Sequence, residues 1–190
     1  MRPKAAPANR SFRGLLYSLR VDLTGALVHL LRNVVAGSFI VPRAVRFVLY
    51  RILGLRVETP DIASGQRIDS RNLLVGRQSV IGPRCFFEGQ GRISIGSHCL
   101  IGAEVAFVTS AHAGDGAGGI ERQQHYRAVV VEDHAWVGTR CILLPGSVVG
   151  RRCVIAAGSV VSGTCEPGFV YSGMPARKVG RTAALPTGVD

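Results

Sequence analysis

The sequence lacks several signals that define common protein classes. No apolar run is long enough to cross a bilayer, which takes about 18 residues or more, because Asp22, Arg32 and Arg43 divide the candidate segments. No secretory signal is recognisable, since Arg20 and Asp22 interrupt the apolar stretch that follows Arg13. We therefore expect a cytoplasmic protein.

Acidic residues are almost missing from the first part of the chain. Residues 1–56 contain ten Lys and Arg against Asp22 alone, whereas residues 57–190 contain thirteen against eleven Asp and Glu. A basic segment of this kind binds a nucleic acid or an anionic membrane surface, or simply forms a face exposed to solvent. There is no zinc-finger spacing, RNP-like aromatic motif or continuous basic stripe, so we do not expect a nucleic-acid partner.

The five cysteines form no C-x-x-C pair, and their spacing predicts small buried side chains rather than a metal site or disulfides. All of them fall in the same slot of a six-residue repeat that Ser79, Ala135 and Ser159 also occupy. They are Cys85, Cys99, Cys141, Cys153 and Cys165.

That six-residue repeat is the main feature of residues 57–166. An aliphatic or aromatic residue recurs every sixth position, a glycine often follows it, and a small residue comes four places after it. The apolar positions are Val75, Ile81, Phe87, Ile95, Ile101, Phe107, Val131, Val137, Leu143, Val149, Ile155 and Val161. Such a period is typical of a solenoid, in which each rung buries its apolar row against its neighbours.

The chain divides into three parts. The apolar spacing in residues 1–56 predicts two basic amphipathic helices. The second helix begins at Pro42 and ends at Gly54. Residues 57–166 form the solenoid, with a glycine-rich loop at 113–127 that leaves it, and residues 167–190 form a basic tail. The helices either cap the open end of the solenoid or attach it to a membrane surface through residues 13–53, and both roles are compatible.

Five ordered motifs carry a resemblance to a known family. They are Thr109–His112, Val129–Gly138, Leu144–Gly150, Ala157–Ser162 and Gly173–Arg177. The chain resembles the hexapeptide-repeat acyltransferases, and within them the galactoside, maltose and Nod-factor O-acetyltransferase group. The resemblance implies an all-β solenoid, a left-handed parallel β-helix of about five coils with the helices as an N-terminal α-helical cap.

The same resemblance implies a homotrimer with active sites between subunits. The sequence is compatible with this, because the residue before each inward position faces outward and is often apolar. Such positions are Phe86, Leu100, Ile142, Val148, Val154 and Val160. An outward apolar row needs a covering surface.

By resemblance, His112 is the general base of an acetyl transfer from acetyl-CoA to a hydroxyl. An alcohol is barely nucleophilic at neutral pH, and histidine titrates in the range that lets it accept the proton. Direct attack in a ternary complex is expected, without an acyl-enzyme. Thr139 matches a small hydroxyl residue that donates to the thioester carbonyl.

The resemblance also implies a coenzyme A site. No metal is expected, because the H-x-x-x-x-H spacing of a zinc site is absent. The residues of the coenzyme A site are Trp136, Gly138, Thr139, Ala157, Gly158, Ser162, Arg177 and Lys178. Trp136 would lie against the pantetheine arm, and Gly138 would let the thioester approach the backbone closely. Arg177 and Lys178 would bind the phosphates of coenzyme A. Glu88 and Asp115 are candidates for binding the acceptor or orienting His112, although the chain departs from the family pattern here.

The acceptor expected is a small molecule or glycan: a sugar, a polysaccharide precursor or a natural product. Two alternatives remain open on the residues alone. The same scaffold serves N-acetylation of an amino sugar, with His112 in the same role. A non-catalytic trimer that uses the solenoid only for assembly is the other alternative.

Overall fold

The computed structural model describes residues 12–114 and 118–182. The chain begins with helix α1 (Phe12–His29), which continues as one stretch of π-helix (Leu30–Val35), and a turn then leads to helix α2 (Arg43–Ile52). Pro42 is the N-cap of α2, as the sequence predicts, because its missing N–H costs nothing there.

Short strands follow the helices through the rest of the described chain. In order they are β1 (Arg56–Val57), β2 (Arg67–Ile68), β3 (Leu73–Val75), β4 (Val80–Ile81), β5 (Phe86–Phe87), β6 (Ile93–Ile95), β7 (Leu100–Ile101), β8 (Ala106–Phe107), β9 (Ser110–Gly114), β10 (Ile120–Tyr126), β11 (Val129–Val131), β12 (Trp136–Val137), β13 (Ile142–Leu143), β14 (Val148–Val149), β15 (Val154–Ile155), β16 (Val160–Val161), β17 (Thr164–Cys165), β18 (Phe169–Ser172) and β19 (Arg177–Arg181).

Three sheets, parallel except for strand β19, wrap around one core, and β9 and β10 form a separate antiparallel pair. Sheet 1 has the order β1-β3-β6-β11-β14-β17, sheet 2 has β4-β7-β12-β15-β18-β19, and sheet 3 has β2-β5-β8-β13-β16. Consecutive strands pass from one sheet to the next, so the chain winds as a parallel β-helix, which confirms the predicted fold. Sheet 1 gives six turns in the described residues, against about five expected.

The repeat positions point inward as the period predicts. Each of the five cysteine thiols is free and buried, so the prediction of small interior side chains is confirmed. The rings of Phe87 and Phe107 stack on successive coils with their centroids 4.9 Å apart. Burial raises the pKa of Cys85 to about 11, which keeps this thiol neutral.

The corners of the coils require unusual backbone conformations. Between sheets 1 and 2, His98 and His134 adopt positive φ angles of 58° and 59° on neighbouring coils, and their rings stack with centroids 4.8 Å apart. These histidines therefore fill turn positions of the six-residue repeat.

The interruption of the repeat is a β-hairpin. Strands β9 and β10 pair antiparallel and leave the helix between β8 of sheet 3 and β11 of sheet 1. The hairpin begins at Ser110, three residues before the loop boundary expected from glycine content, because pairing extends to Tyr126↔Ser110.

The solenoid also extends beyond residue 166. Strand β18 pairs parallel with β15 as the next rung of sheet 2, and β19 then turns back and pairs antiparallel with β18. The tail is thus a hairpin whose second strand covers the end of sheet 2.

The N-terminal helices cap the first coil through polar groups. Asn33 accepts a hydrogen bond from the backbone N–H of Ile68 at 2.7 Å and donates to the Ile68 carbonyl at 3.3 Å. Arg46, which is 2% exposed, donates to the carbonyls of four residues at 2.7 to 2.9 Å. These acceptors are Ala36, Ser38, Val41 and Ile62.

The apolar stripes of these helices face away from the solenoid. Residues three or four positions apart share one face of a helix, and the exposed ones on α1 and the π-helix are Leu19, Leu23, Leu27, Leu30 and Val34. On α2 they are Val45, Val48 and Ile52. Within the described ranges, no helix is long and apolar enough to span a bilayer.

Candidate active site

His112 lies on β9, in the hairpin that leaves the helix, and its side chain is exposed. Its Nδ1 atom is 2.9 Å from the backbone carbonyl oxygen of Glu121 on β10. A carbonyl oxygen can only accept a hydrogen bond, so in the neutral ring Nδ1 carries the proton. The lone pair is then on Nε2, where an imidazole takes a proton from a hydroxyl.

Glu88 holds the base of this hairpin in place. Its carboxylate accepts hydrogen bonds from the Thr109 N–H at 3.0 Å and from the Ser110 hydroxyl at 2.5 Å. The Glu88 carbonyl accepts the Thr109 hydroxyl at 2.9 Å. The carboxylate is therefore engaged by the segment that leads to His112, which favours the orienting role over direct contact with an acceptor.

Trp136 projects outward from sheet 2, as the repeat predicts, and is 48% exposed. In the sheet it lies between Leu100 of the preceding coil and Val154 of the following coil. An indole at the centre of an exposed apolar row offers a flat surface to a ligand or to another subunit.

Four of the predicted cofactor residues meet at one corner, between sheets 2 and 3. Gly138 and Thr139 form this corner in one coil, and Ala157 and Gly158 form it in the next, where the Gly158 N–H donates to the Thr139 carbonyl at 2.8 Å. A Cβ on Gly138 would lie 2.6 Å from the nitrogen of Ala157, so the stacking of coils already requires glycine there. The Thr139 side chain is exposed.

The remaining cofactor candidates lie further along the chain. Ser162 is exposed in the turn after β16. Lys178 on β19 pairs with Glu166 at 2.7 Å, and its ammonium lies 4.1 Å from the centre of the Phe169 ring. Arg177 is exposed and pairs with no carboxylate of the described residues, so of the two it is the better placed to meet a phosphate.

One chain does not bring all of these residues together. His112 leaves the helix between sheets 3 and 1, whereas Trp136 faces out from sheet 2 and Thr139 lies at the corner of sheets 2 and 3. Asp115, the other acceptor candidate, lies outside the described residues. Within the described ranges, no group of three or more His, Cys, Asp or Glu side chains is arranged to hold a metal ion.

An ion-pair ladder beside Thr139 has no signal in the sequence. Glu104 accepts hydrogen bonds from Arg140 at 2.6 Å and from Arg84 at 2.6 Å, and these bonds, those from Arg140 first, lower the pKa of its carboxyl. The partners are 36 and 20 residues away along the chain. Only the registration of successive coils reveals the ladder.

Two family models match the repeat region. One, described as bacterial transferase hexapeptide (six repeats), covers residues 128–163, and the other, described as the hexapeptide repeat of succinyl-transferase, covers residues 92–117. No curated protein sequence matches the chain.

Solved structures with the same fold include a hexapeptide-repeat acetyltransferase from Vibrio cholerae. It has 25% identity and a TM-score of 0.70 over 88% of this chain and 93% of its own. A second structure from that organism, complexed with acetyl coenzyme A, has 24% identity and a TM-score of 0.71 over 90% and 91%. The repeat region thus carries the hexapeptide repeat of bacterial transferases, and the chain is similar in fold to hexapeptide-repeat acetyltransferases.

Other structures similar in fold to the chain include two acetyltransferases that are named for a sugar. A maltose O-acetyltransferase from Clostridium difficile 630 has 24% identity and a TM-score of 0.69 over 86% of this chain and 87% of its own. A galactoside acetyltransferase in complex with coenzyme A has 20% identity and a TM-score of 0.67 over 84% and 80%.

Proposed function

We propose that the protein is an acetyl-CoA-dependent O-acetyltransferase that acts on a hydroxyl of a sugar, a polysaccharide precursor or a natural product. The observation that carries the proposal is the hydrogen bond from His112 Nδ1 to the Glu121 carbonyl, which leaves Nε2 free on an exposed hairpin. The acetyl-CoA complex of the Vibrio cholerae acetyltransferase supports the donor, and the maltose O-acetyltransferase supports the class of acceptor.

The reaction is a direct transfer within a ternary complex. His112 Nε2 takes the proton of the acceptor hydroxyl as its oxygen attacks the thioester carbonyl carbon, so that a C–O bond forms. Collapse of the tetrahedral intermediate breaks the C–S bond, and the imidazolium returns its proton to the departing thiolate of coenzyme A. A positioned base of this kind contributes about 10² to 10⁴ in rate.

The outward face of sheet 2 and the corner between sheets 2 and 3 bind the donor, acetyl-CoA. Trp136 packs on the pantetheine arm, while Gly138, Ala157 and Gly158 offer backbone surface. The Thr139 hydroxyl donates to the thioester oxygen, where negative charge develops. Ser162 lines the cofactor, and Arg177 meets its phosphates, with Lys178 second because Glu166 already engages it.

The active site is completed between copies of the chain in a homotrimer. This part of the proposal rests on the separation of His112 from Trp136 around the helix. Exposed apolar residues also remain on the outer faces of the sheets and need a covering surface. They include Val80, Leu100 and Ile142.

The enzyme also works at the surface of an anionic membrane. The outward apolar stripes of the helices support this, as does the turn between the helices, where Phe39 is 85% and Ile40 is 76% exposed. The excess of basic residues over Asp22 in residues 1–56 attracts anionic headgroups. The same charge opposes covering the stripes with a second copy, which would bring like charges together.

The decisive experiment compares His112→Ala with wild type for acetyl transfer and for acetyl-CoA binding. We expect release of free coenzyme A in the presence of acceptor sugars to fall by about 10² or more. Calorimetry should show unchanged acetyl-CoA affinity, because His112 acts on the acceptor. Full turnover by the variant would exclude the base role, and absence of acetyl-CoA binding by wild type would exclude the donor. Paired amino and hydroxyl sugars separate N- from O-acetylation.

A further inference from the structure

A cationic cavity lies between the end of α2 and the first three coils of the helix. Its volume is about 340 Å³, and it opens on the outer face of sheet 1. Its lining consists of Gly54, Arg56, Arg71, Asn72, Leu73, Leu74 and Arg92. Three guanidinium groups, each from a different coil, thus share one cavity whose lining contains no carboxylate.

These three arginines have no hydrogen-bond or ion-pair partner for their guanidinium groups among the described residues. Three arginines elsewhere on the helix do have partners: Arg77 pairs with Glu58 at 3.3 Å, and Arg84 and Arg140 share Glu104. Unpaired like charges held together repel one another, and an anion that lies among them relieves this repulsion. The cavity therefore gathers three unpaired guanidinium groups in one place.

A buried fourth arginine increases the positive potential. Arg32 is 5% exposed, and its guanidinium donates to the carbonyls of Leu53 and Ser70 at 3.2 and 3.4 Å, while its Nε has no partner in the described chain. Burial and then the charge of Arg71 lower its pKa. Asp69 is the nearby carboxylate, and it is already paired with Arg67 at 3.3 Å.

The cavity is connected to the hairpin that carries His112. Asn72 donates to the carbonyl of Gln90 at 2.8 Å, which ties the rim of the cavity to the turn before Arg92. In that turn, the Gly91 N–H donates to the Thr109 hydroxyl at 3.2 Å, and Thr109 immediately precedes β9. His112 follows Thr109 by three residues, which in an extended strand is a distance of about 10 Å.

We propose that Arg56, Arg71 and Arg92 bind a phosphate or diphosphate group carried by the acceptor, so that the hydroxyl to be acetylated reaches His112. This proposal rests on the proposed function, and it narrows the acceptor to a phosphorylated or diphosphate-linked sugar. Guanidinium groups suit phosphates because their planar forks donate two hydrogen bonds in parallel. Several of them around one cavity favour a group with more than one charge.

Inorganic pyrophosphate is the probe for this site. We expect calorimetry at low ionic strength to show saturable binding to the full-length wild type. Arg71→Ala and Arg92→Ala should each weaken binding by about tenfold or more, since a hydrogen bond to a charged group is at stake. Arg77→Ala is the matched control, because it removes one positive charge from an arginine paired with Glu58 elsewhere on the helix. Thermal unfolding of each variant verifies that it folds.

The outcomes separate this proposal from the one on which it rests. Absence of pyrophosphate binding, or an equal loss in Arg77→Ala, would overturn the phosphate site, while His112-dependent acetylation of a neutral sugar would leave the proposed function intact. Pyrophosphate binding without acetyl-CoA binding would defeat the proposed function instead. Phosphatidylglycerol vesicles form the second arm: loss of vesicle binding in Arg71→Ala without loss of pyrophosphate affinity would assign the arginine to lipid and contradict the proposal.

Discussion

The carboxylate of Glu88 accepts the hydroxyl of Ser110 at 2.5 Å, and this contact joins the second coil to the first residue of the hairpin that carries His112. The same carboxylate accepts the N–H of Thr109 at 3.0 Å. The orientation of the hairpin therefore depends on one acidic side chain of the coil above it.

Replacement of Glu88 by Ala should impair acetyl transfer more than donor binding. The N–H groups of the buried Thr109 and the half-buried Ser110 lose their acceptor, at a cost of about 1–3 kcal/mol in the free energy of unfolding. We expect kcat to fall while acetyl-CoA affinity, measured by calorimetry, stays unchanged. Glu58→Ala is the control, because its exposed pair with Arg77 is worth less than about 1 kcal/mol. Equal kcat values for the two variants would contradict the positioning role.

Substitution of Gly138 by Ala tests whether this glycine serves stacking alone. A Cβ at Gly138 would lie 2.6 Å from the Ala157 nitrogen, and one at Gly102, in the coil above, would lie 2.6 Å from the Thr139 nitrogen. We expect both Gly→Ala variants to lower the melting temperature by similar amounts. If the thioester also approaches Gly138, only Gly138→Ala should lose acetyl-CoA affinity beyond what its stability explains. Equal affinities would leave Gly138 with a packing role only.

The buried thiols should make the protein sensitive to alkaline pH. Burial raises the pKa of Cys85 to about 11 and that of Cys165 to about 12, from an ordinary value of 9.0. Their stabilising contribution is complete below pH 9 and decreases as the pH rises towards these folded-state values, because only the unfolded chain then ionises freely. For Cys85, the difference of about two pKa units between the folded and unfolded chain corresponds to about 2–3 kcal/mol of unfolding free energy.

Urea unfolding at pH 8 and pH 10.5 measures this decrease. Cys85→Ala is the comparison, since all other titrating groups are common to both proteins. The wild type should lose more unfolding free energy between the two pH values than the variant. An identical loss would show that ionisation of Cys85 is not involved.

The membrane contact predicts a defect confined to vesicle binding. Phe39 and Ile40 are exposed, so replacing both by Asp should leave the melting temperature nearly unchanged. Sedimentation with vesicles of phosphatidylglycerol and phosphatidylcholine should show a loss of binding, because a charge replaces each apolar contact. Met174 and Val179, 74% and 63% exposed in the C-terminal hairpin, give the matched double Asp control.

Light scattering in the absence of vesicles tests the alternative, in which the turn between the helices contacts a second copy of the chain. A change of oligomeric state in the Phe39 and Ile40 variant would assign the surface to a second copy of the chain. Retained vesicle binding by that variant would likewise count against a membrane role for the turn.

The sequence predicts the solenoid well because the apolar positions of the repeat are the positions that pack inward. The direction of Trp136 and the burial of all five cysteines follow from phase alone. The first turn is harder to detect: it is formed by β1, β2 and an isolated bridge from Ile62 to Ile81, and it lacks the regular glycines. The last turn is also difficult to predict from the sequence, because β18 continues sheet 2 through Phe169–Ser172 after the six-residue period ends.

Contacts between coils are what the sequence could not reveal. The acceptor of the His112 Nδ1 proton is the backbone carbonyl of Glu121, which any residue would provide. The pairing of Glu104 with Arg140 depends on the register of coils that a hairpin separates. The helical stripes were visible, but their outward direction was not, because only the structure shows Arg46 as the inward group.

The hydrogen bonds of Arg46 have an evolutionary consequence. The Arg46 guanidinium holds α2 to the segment between the helices through the carbonyls of Ala36, Ser38 and Val41, and to the first coil through the carbonyl of Ile62. Backbone carbonyls do not change when side chains do. Selection can therefore alter the outer residues of the helices while the β-helix underneath stays the same.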